Sequence, residues 1–197
     1  MKKKGIGLCG SHRTGKTTLA KEIAEKTGLE FIQTSTSEVF SQNGLHPSQS
    51  MDFTTRIWIQ NKVISAAEKV WSDAREKFIT DRTPIDMMAY TLADIDGKSS
   101  VDFSALEGYL GHCFRVTDSL FSHLFILQPA IPLVHEEGKA ALNRAYMEHL
   151  NILMQGLCCD ERLHSPIVTV PRHIIPLDDR VKTIVEILAE KEKKAKL

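Results

Sequence analysis

The sequence predicts an α/β fold, a five-stranded parallel sheet with helices on both faces. Three observations predict it. Five short apolar or β-rich runs, at 4–10, 29–35, 77–81, 122–129 and 166–171, alternate with longer stretches of helical spacing. The run SHLFILQP (122–129) is solidly apolar at its centre, as a strand covered on both faces must be. The helical stretches are long enough for the right-handed crossovers that parallel strands require. At 197 residues and 42% hydrophobic, the chain fits one domain, 1–197, with a substantial core.

In chain order, KGIGLCG (4–10) reads as a buried strand ending in glycine. TTLAKEIAEKTG (17–28) places Leu19, Ile23 and Ala24 on one helical face, with Gly28 as its stop. LEFIQTS (29–35) is the second strand, and SQNGLHPSQS (41–50) is a loop by its Asn-Gly, Pro and serines. From Met51 to about Lys77, Phe53, Ile57, Gln60, Ile64, Ala67, Trp71 and Ala74 recur at helical steps. KFITD (77–81) is a short strand broken by Arg-Thr-Pro. Helices follow at 84–95 and 103–120, then the fourth strand, ended by Pro129 and Pro132. The stretch 136–157 aligns Leu142, Tyr146, Leu150, Leu153 and Leu157 on one stripe. After the strand PIVTVP (166–171), a last helix from Leu177 to about Lys191 turns Val181, Ile184, Val185 and Leu188 inward.

The 25 basic and 25 acidic residues cancel, which removes any global electrostatic pull toward nucleic acid or membranes. Lys2–Lys4 and KEKKAK (191–196) read as solvated ends. No run reaches the ~18–20 apolar residues of a membrane span, and the first residues lack a signal peptide's apolar stretch. A cytoplasmic location is expected. Cys9, Cys113, Cys158 and Cys159 form no C-x-x-C, and CCDERLH (158–164) matches no zinc spacing, so structural or surface roles are expected.

The chemistry lies in GSHRTGKT (10–17), which fits G-x-x-x-x-G-K-[ST] between a strand and a helix. Gly10 and Gly15 let the backbone wrap so that N–H groups face phosphate oxygens, and the following helix adds its positive end. The candidate nucleotide-binding set is Gly10, Ser11, His12, Arg13, Thr14, Gly15, Lys16, Thr17 and Thr18. Lys16 would reach the outer phosphates of ATP, and the Thr17 hydroxyl would ligate Mg2+. Asp81, ending KFITD, is the carboxylate expected on the far side of the metal. Arg82 beside it is a candidate phosphate ligand.

The combination of this Walker A loop with ITDRTPID (79–86) resembles the nucleoside and nucleotide kinases. The longer DRTPIDMMAY (81–90) looks like small phage and bacterial AAA-type P-loop proteins related to nicotinamide riboside kinases and thymidylate kinases. The resemblance implies a three-layer P-loop NTPase fold, strand order 2-3-1-4-5, with a helical lid near 132–160. It implies a magnesium- and ATP-dependent kinase acting on a nucleoside- or nucleotide-type acceptor. In TSEVFSQNG it makes Glu38 the candidate general base, although Ser41 stands where relatives carry arginine. It assigns Lys139 and Arg144 to the lid, Arg56 and Gln60 to the acceptor, and Arg172 to the adenine. Asp81 is the other candidate base. The acceptor class is open to a hydroxymethylated pyrimidine in phage DNA. An ATPase or nucleotide switch, and a protein that binds nucleotide without turnover, are the other classes, and a homodimer is compatible with each.

Overall fold

The computed structural model describes residues 4–132 and 143–194. Among them, β1 (Gly5–Cys9) leads into α1 (Lys16–Thr27), β2 (Glu30–Phe31), α2 (Thr36–Gln42) and α3 (Phe53–Ser72). Then come β3 (Phe78–Thr80), α4 (Pro84–Leu92), α5 (Phe103–Leu120), β4 (Phe121–Leu127), α6 (Arg144–Cys158), β5 (Ile167–Val170) and α7 (Leu177–Lys194). The strands form one five-stranded sheet in the order β2-β3-β1-β4-β5, as expected, and every pairing is parallel.

Side-chain alternation splits the core in two. Ile6, Leu8, Ile79, Phe125, Leu127 and Val170 pack against Leu19 and Ile23 of α1 and Val181 and Ile184 of α7. On the opposite face Phe78, Phe121, Leu124 and Ile126 meet α3, α4, α5 and α6. Glycine is required on this second face of β1. A Cβ at Gly7 would lie 2.6 Å from Thr83 Cγ2 and 2.7 Å from Leu124 Cδ2, so its absence lets the start of α4 approach the central strand. Among the described residues no helix is long and apolar enough to cross a membrane.

Boundaries differ from expectation where local capping prevails. The second strand is two residues rather than seven, because β3 offers only Phe78 and Ile79 as partners. The chain then enters α2, a helix that the expected elements lack. Ser35 caps it by accepting the Glu38 N–H at 3.2 Å, and Ser35-x-x-Glu38 was the legible signal. α3 ends at Ser72, five residues short of Lys77, and α4 ends at Leu92. α6 starts at Arg144 behind an Asn143 cap, while 136–142 of the expected helix lie outside the described residues.

Trp71 is 1% exposed and meets Phe121 edge-on at 5.1 Å between ring centroids, while its indole N–H has no acceptor. Trp71→Ala should therefore lose about 3–5 kcal/mol in urea denaturation. Trp71→Phe, which keeps the ring packing and gives up no hydrogen bond, should lose less.

Candidate phosphate loop and acceptor cleft

The loop between β1 and α1 lies at the carboxyl end of the central strand, where parallel sheets place ligands. Its fold depends on two residues with left-handed backbone, Arg13 (φ 59°) and Gly15 (φ 79°). Gly10 must also be glycine, since a Cβ there would come within 2.5 Å of the Leu127 carbonyl oxygen. Lys16 Nζ donates to the carbonyl oxygens of Gly10 (2.6 Å) and Ser11 (2.9 Å), arching over the loop. Burial lowers the Lys16 pKa, and the nearby Asp86 carboxylate opposes that shift. Ser11 is buried, and its hydroxyl has no partner.

Asp81 follows β3, directly beside the loop, and Thr17 Oγ1 donates to Asp81 Oδ2 at 2.5 Å. Two oxygens so close, one hydroxyl and one carboxylate, suit a small hard cation. Among the described residues no three His, Cys, Asp or Glu side chains cluster for a metal. A cation here would need further oxygens, as from phosphate or water.

Asp86 is the residue that sequence reasoning missed. It is 1% exposed. Its Oδ1 accepts the Gly10 N–H (3.0 Å), and its Oδ2 accepts the Thr83 N–H (2.9 Å) and hydroxyl (2.6 Å). Lys16 Nζ stands 3.9 Å from Oδ1. The signal was legible: Thr83-Pro84-Ile85-Asp86 is a capping box with proline at the first helical position.

From the loop a cleft of about 1190 Å3 opens between α2, α3, α4 and the start of α6. His12, Phe40, Arg56, Gln60, Arg82 and Tyr90 are among its lining residues. Tyr90 joins loop to cleft, because its hydroxyl accepts the His12 N–H at 2.9 Å. Burial pushes the Tyr90 phenol up to about 12. Arg56 Nε donates to Asp94 Oδ2 at 2.6 Å, and the Arg56 guanidinium lies over the Phe40 ring. Burial raises the Asp94 pKa, and Arg56 opposes the shift. Thr34 and Thr36 line the same cleft with buried hydroxyl oxygens that have no partner among the described residues. Gln60 is 6% exposed.

The expected residues thus fall into two groups. Lys16, Thr17, Asp81 and the glycines converge at the loop, while Arg56, Gln60, Arg82 and His12 meet in the cleft. Thr14 is buried and Thr18 exposed in the first turn of α1. Arg144 is exposed at the start of α6, next to the cleft residue Asn143. Glu38 is not brought in. It is exposed on α2, accepts from Gln42 Nε2 at 3.3 Å, and leaves the cleft wall to Thr34–Ser37. Arg172 is engaged elsewhere, donating to Gln128 Oε1 (2.9 Å) and to Glu148. Lys139 lies outside the described residues.

A glycine-wrapped loop, its arching lysine and a hydroxyl–carboxylate pair at the carboxyl ends of neighbouring strands define a P-loop NTPase fold. The chain belongs to the AAA domain family, whose profile matches residues 6–151. Deoxyadenosine kinase from M. mycoides, solved with bound dCTP, superposes with a TM-score of 0.68 at 18% identity, covering 94% of this chain and 99% of its own. The YorR protein from Bacillus subtilis, in complex with phosphorylated GDP, gives 0.59 at 14% identity, covering 96% and 98%. Thymidylate kinase from Candida albicans gives 0.59 at 13%, covering 96% and 92%. No curated protein matches the chain.

Removing the Asp86 carboxylate strands three donors and leaves Lys16 without its nearest counter-charge. Asp86→Ala should lose about 3–5 kcal/mol of stability in chemical denaturation. Asp81→Asn alters a partly exposed pair instead. It should melt within a few degrees of the parent.

Proposed function

We propose that the protein is a magnesium- and ATP-dependent kinase that phosphorylates a hydroxyl of a nucleoside-type acceptor. The observation that carries this reading is the adjacency of the two groups of residues. The phosphate loop, with Lys16 and the Thr17–Asp81 pair, opens through His12, Tyr90 and Arg82 into a cleft large enough for a nucleoside. The loop N–H groups and Lys16 would bind the triphosphate, and Thr17 and Asp81 would hold magnesium. When bound, magnesium supplies charge neutralisation to the phosphate oxygens.

Gln60 offers an amide donor and acceptor to a base edge, and Thr34 and Thr36 offer free hydroxyl oxygens to a sugar or base. Of the two cleft arginines, Arg56 is already neutralised by Asp94, which favours an uncharged acceptor over a phosphorylated one. Arg82 then remains for the transferred group, with Arg144 at the rim, where positive charge stabilises the transition state. Neither Glu38 nor Asp81 is among the residues that line the cleft, and a loose phosphoryl-transfer transition state asks little of a base.

Labelled ATP incubated with nucleosides, nucleotides and hydroxymethylated DNA should transfer label most rapidly to a nucleoside. Preferred transfer to DNA would move the acceptor class, and hydrolysis indifferent to every acceptor would make the protein an ATPase. Lys16→Ala should lose at least about a hundredfold in turnover with any acceptor. Gln60→Leu should raise the acceptor KM about tenfold and leave the ATP KM unchanged, the loss of roughly one buried polar contact.

A further inference from the structure

Behind the phosphate loop lies a cation that the proposed chemistry does not use. Arg180, in the first turn of α7, is 3% exposed. Its Nη1 donates to the Thr14 carbonyl oxygen at 2.9 Å and stands 3.3 Å from where a Gly15 Cβ would project. Its Nε has no hydrogen-bond partner among the described residues. Among the described residues it forms no ion pair with a carboxylate, and burial lowers its pKa. A guanidinium carries five donors, and a buried charge without a counter-ion opposes folding.

We infer that Arg180 is a positioning residue for the phosphate cradle, fixing the Thr14–Gly15 peptide and holding a buried positive charge that the bound polyphosphate neutralises. The inference rests on the reading of the loop as a triphosphate site. In a trans peptide the carbonyl and the next N–H point in opposite directions. Holding the Thr14 carbonyl against α7 therefore turns the Gly15 N–H away from α7 and toward the hollow of the loop. Gly15 can follow because it is glycine at positive φ, with Ile131 Cδ1 2.9 Å from its missing Cβ. Lys16 holds the Gly10 and Ser11 carbonyls from the opposite side. Three loop carbonyls, those of Gly10, Ser11 and Thr14, are thus held by two cations, which limits the directions the loop amides can take. In the low dielectric behind the loop, the Arg180 charge reaches the phosphates with little screening by solvent.

The test uses the full chain with magnesium tripolyphosphate and MgATP as probes, by calorimetric titration, alongside melting without ligand. Arg180→Gln keeps an amide donor for Thr14 and removes the charge. It should melt at or above the parent temperature and bind both probes at least tenfold more weakly. Arg180→Lys keeps the charge and should bind within about threefold of the parent. Arg180→Met, which lacks both charge and donor, should bind most weakly. The inference is overturned if Arg180→Gln binds both probes within twofold of the parent. It is equally overturned if Arg180→Lys and Arg180→Gln lose the same affinity together with the same melting temperature, the mark of a packing role alone. Failure of the parent itself to bind either probe would instead reject the loop as a triphosphate site.

Discussion

The buried carboxylate of Asp86 is the interaction on which the site depends. It receives the first amide of the phosphate loop, closes the cap of α4 and stands beside Lys16. An unpaired carboxylate at 1% exposure would be untenable, and three donors with a nearby ammonium make it tolerable. Because the same side chain starts α4, the loop and that helix share one register. Met87, Tyr90 and Asp94 then follow at positions along or just past α4 that line the cleft. The two halves of the site are therefore spaced by covalent geometry rather than by separate folding events.

Much of the architecture was legible because the determinants are local and periodic. The five strands, their parallel direction and the loop's place beyond β1 follow from apolar runs, crossover lengths and one glycine pattern, while the order β2-β3-β1-β4-β5 follows from the resemblance to P-loop kinases. The N-terminus of α4 is equally readable in Thr83-Pro84-Ile85-Asp86, whereas the bond from the Gly10 N–H to Asp86 joins distant positions and has no local signal. The cleft was less legible. Gln60 was placed by its helical spacing, but the Arg56–Asp94 pair joins residues thirty-eight positions apart, and no periodicity reports that contact. Glu38 is exposed on α2, where it accepts from Gln42, and it is not among the residues that line the cleft.

The phosphate loop is held from both sides of the sheet. Asp86 and Tyr90 grip it from the α4 side and Arg180 from the α7 side, while its own lysine spans the mouth. These contacts reach loop backbone, and Tyr90 also meets the His12 ring nitrogen at 3.2 Å. Within the loop the buried Thr14 hydroxyl donates to the Ser11 carbonyl oxygen at 2.9 Å, position 13 has a left-handed backbone and position 10 requires glycine. The His12 ring also lies near that of Tyr146, at 6.0 Å between centroids.

The brevity of β2 has a further consequence. It lies at one margin of the sheet, and its last ladder bond is the Ile32 N–H to the Ile79 carbonyl oxygen. A margin this short offers almost no template for an extended segment of another chain, so it guards against intermolecular sheet growth. Of the residues beyond it, Ser35 caps α2, while the buried Thr34 and Thr36 hydroxyl oxygens have no hydrogen-bond partner among the described residues. The same truncation that protects the protein from aggregation supplies its pocket with a wall.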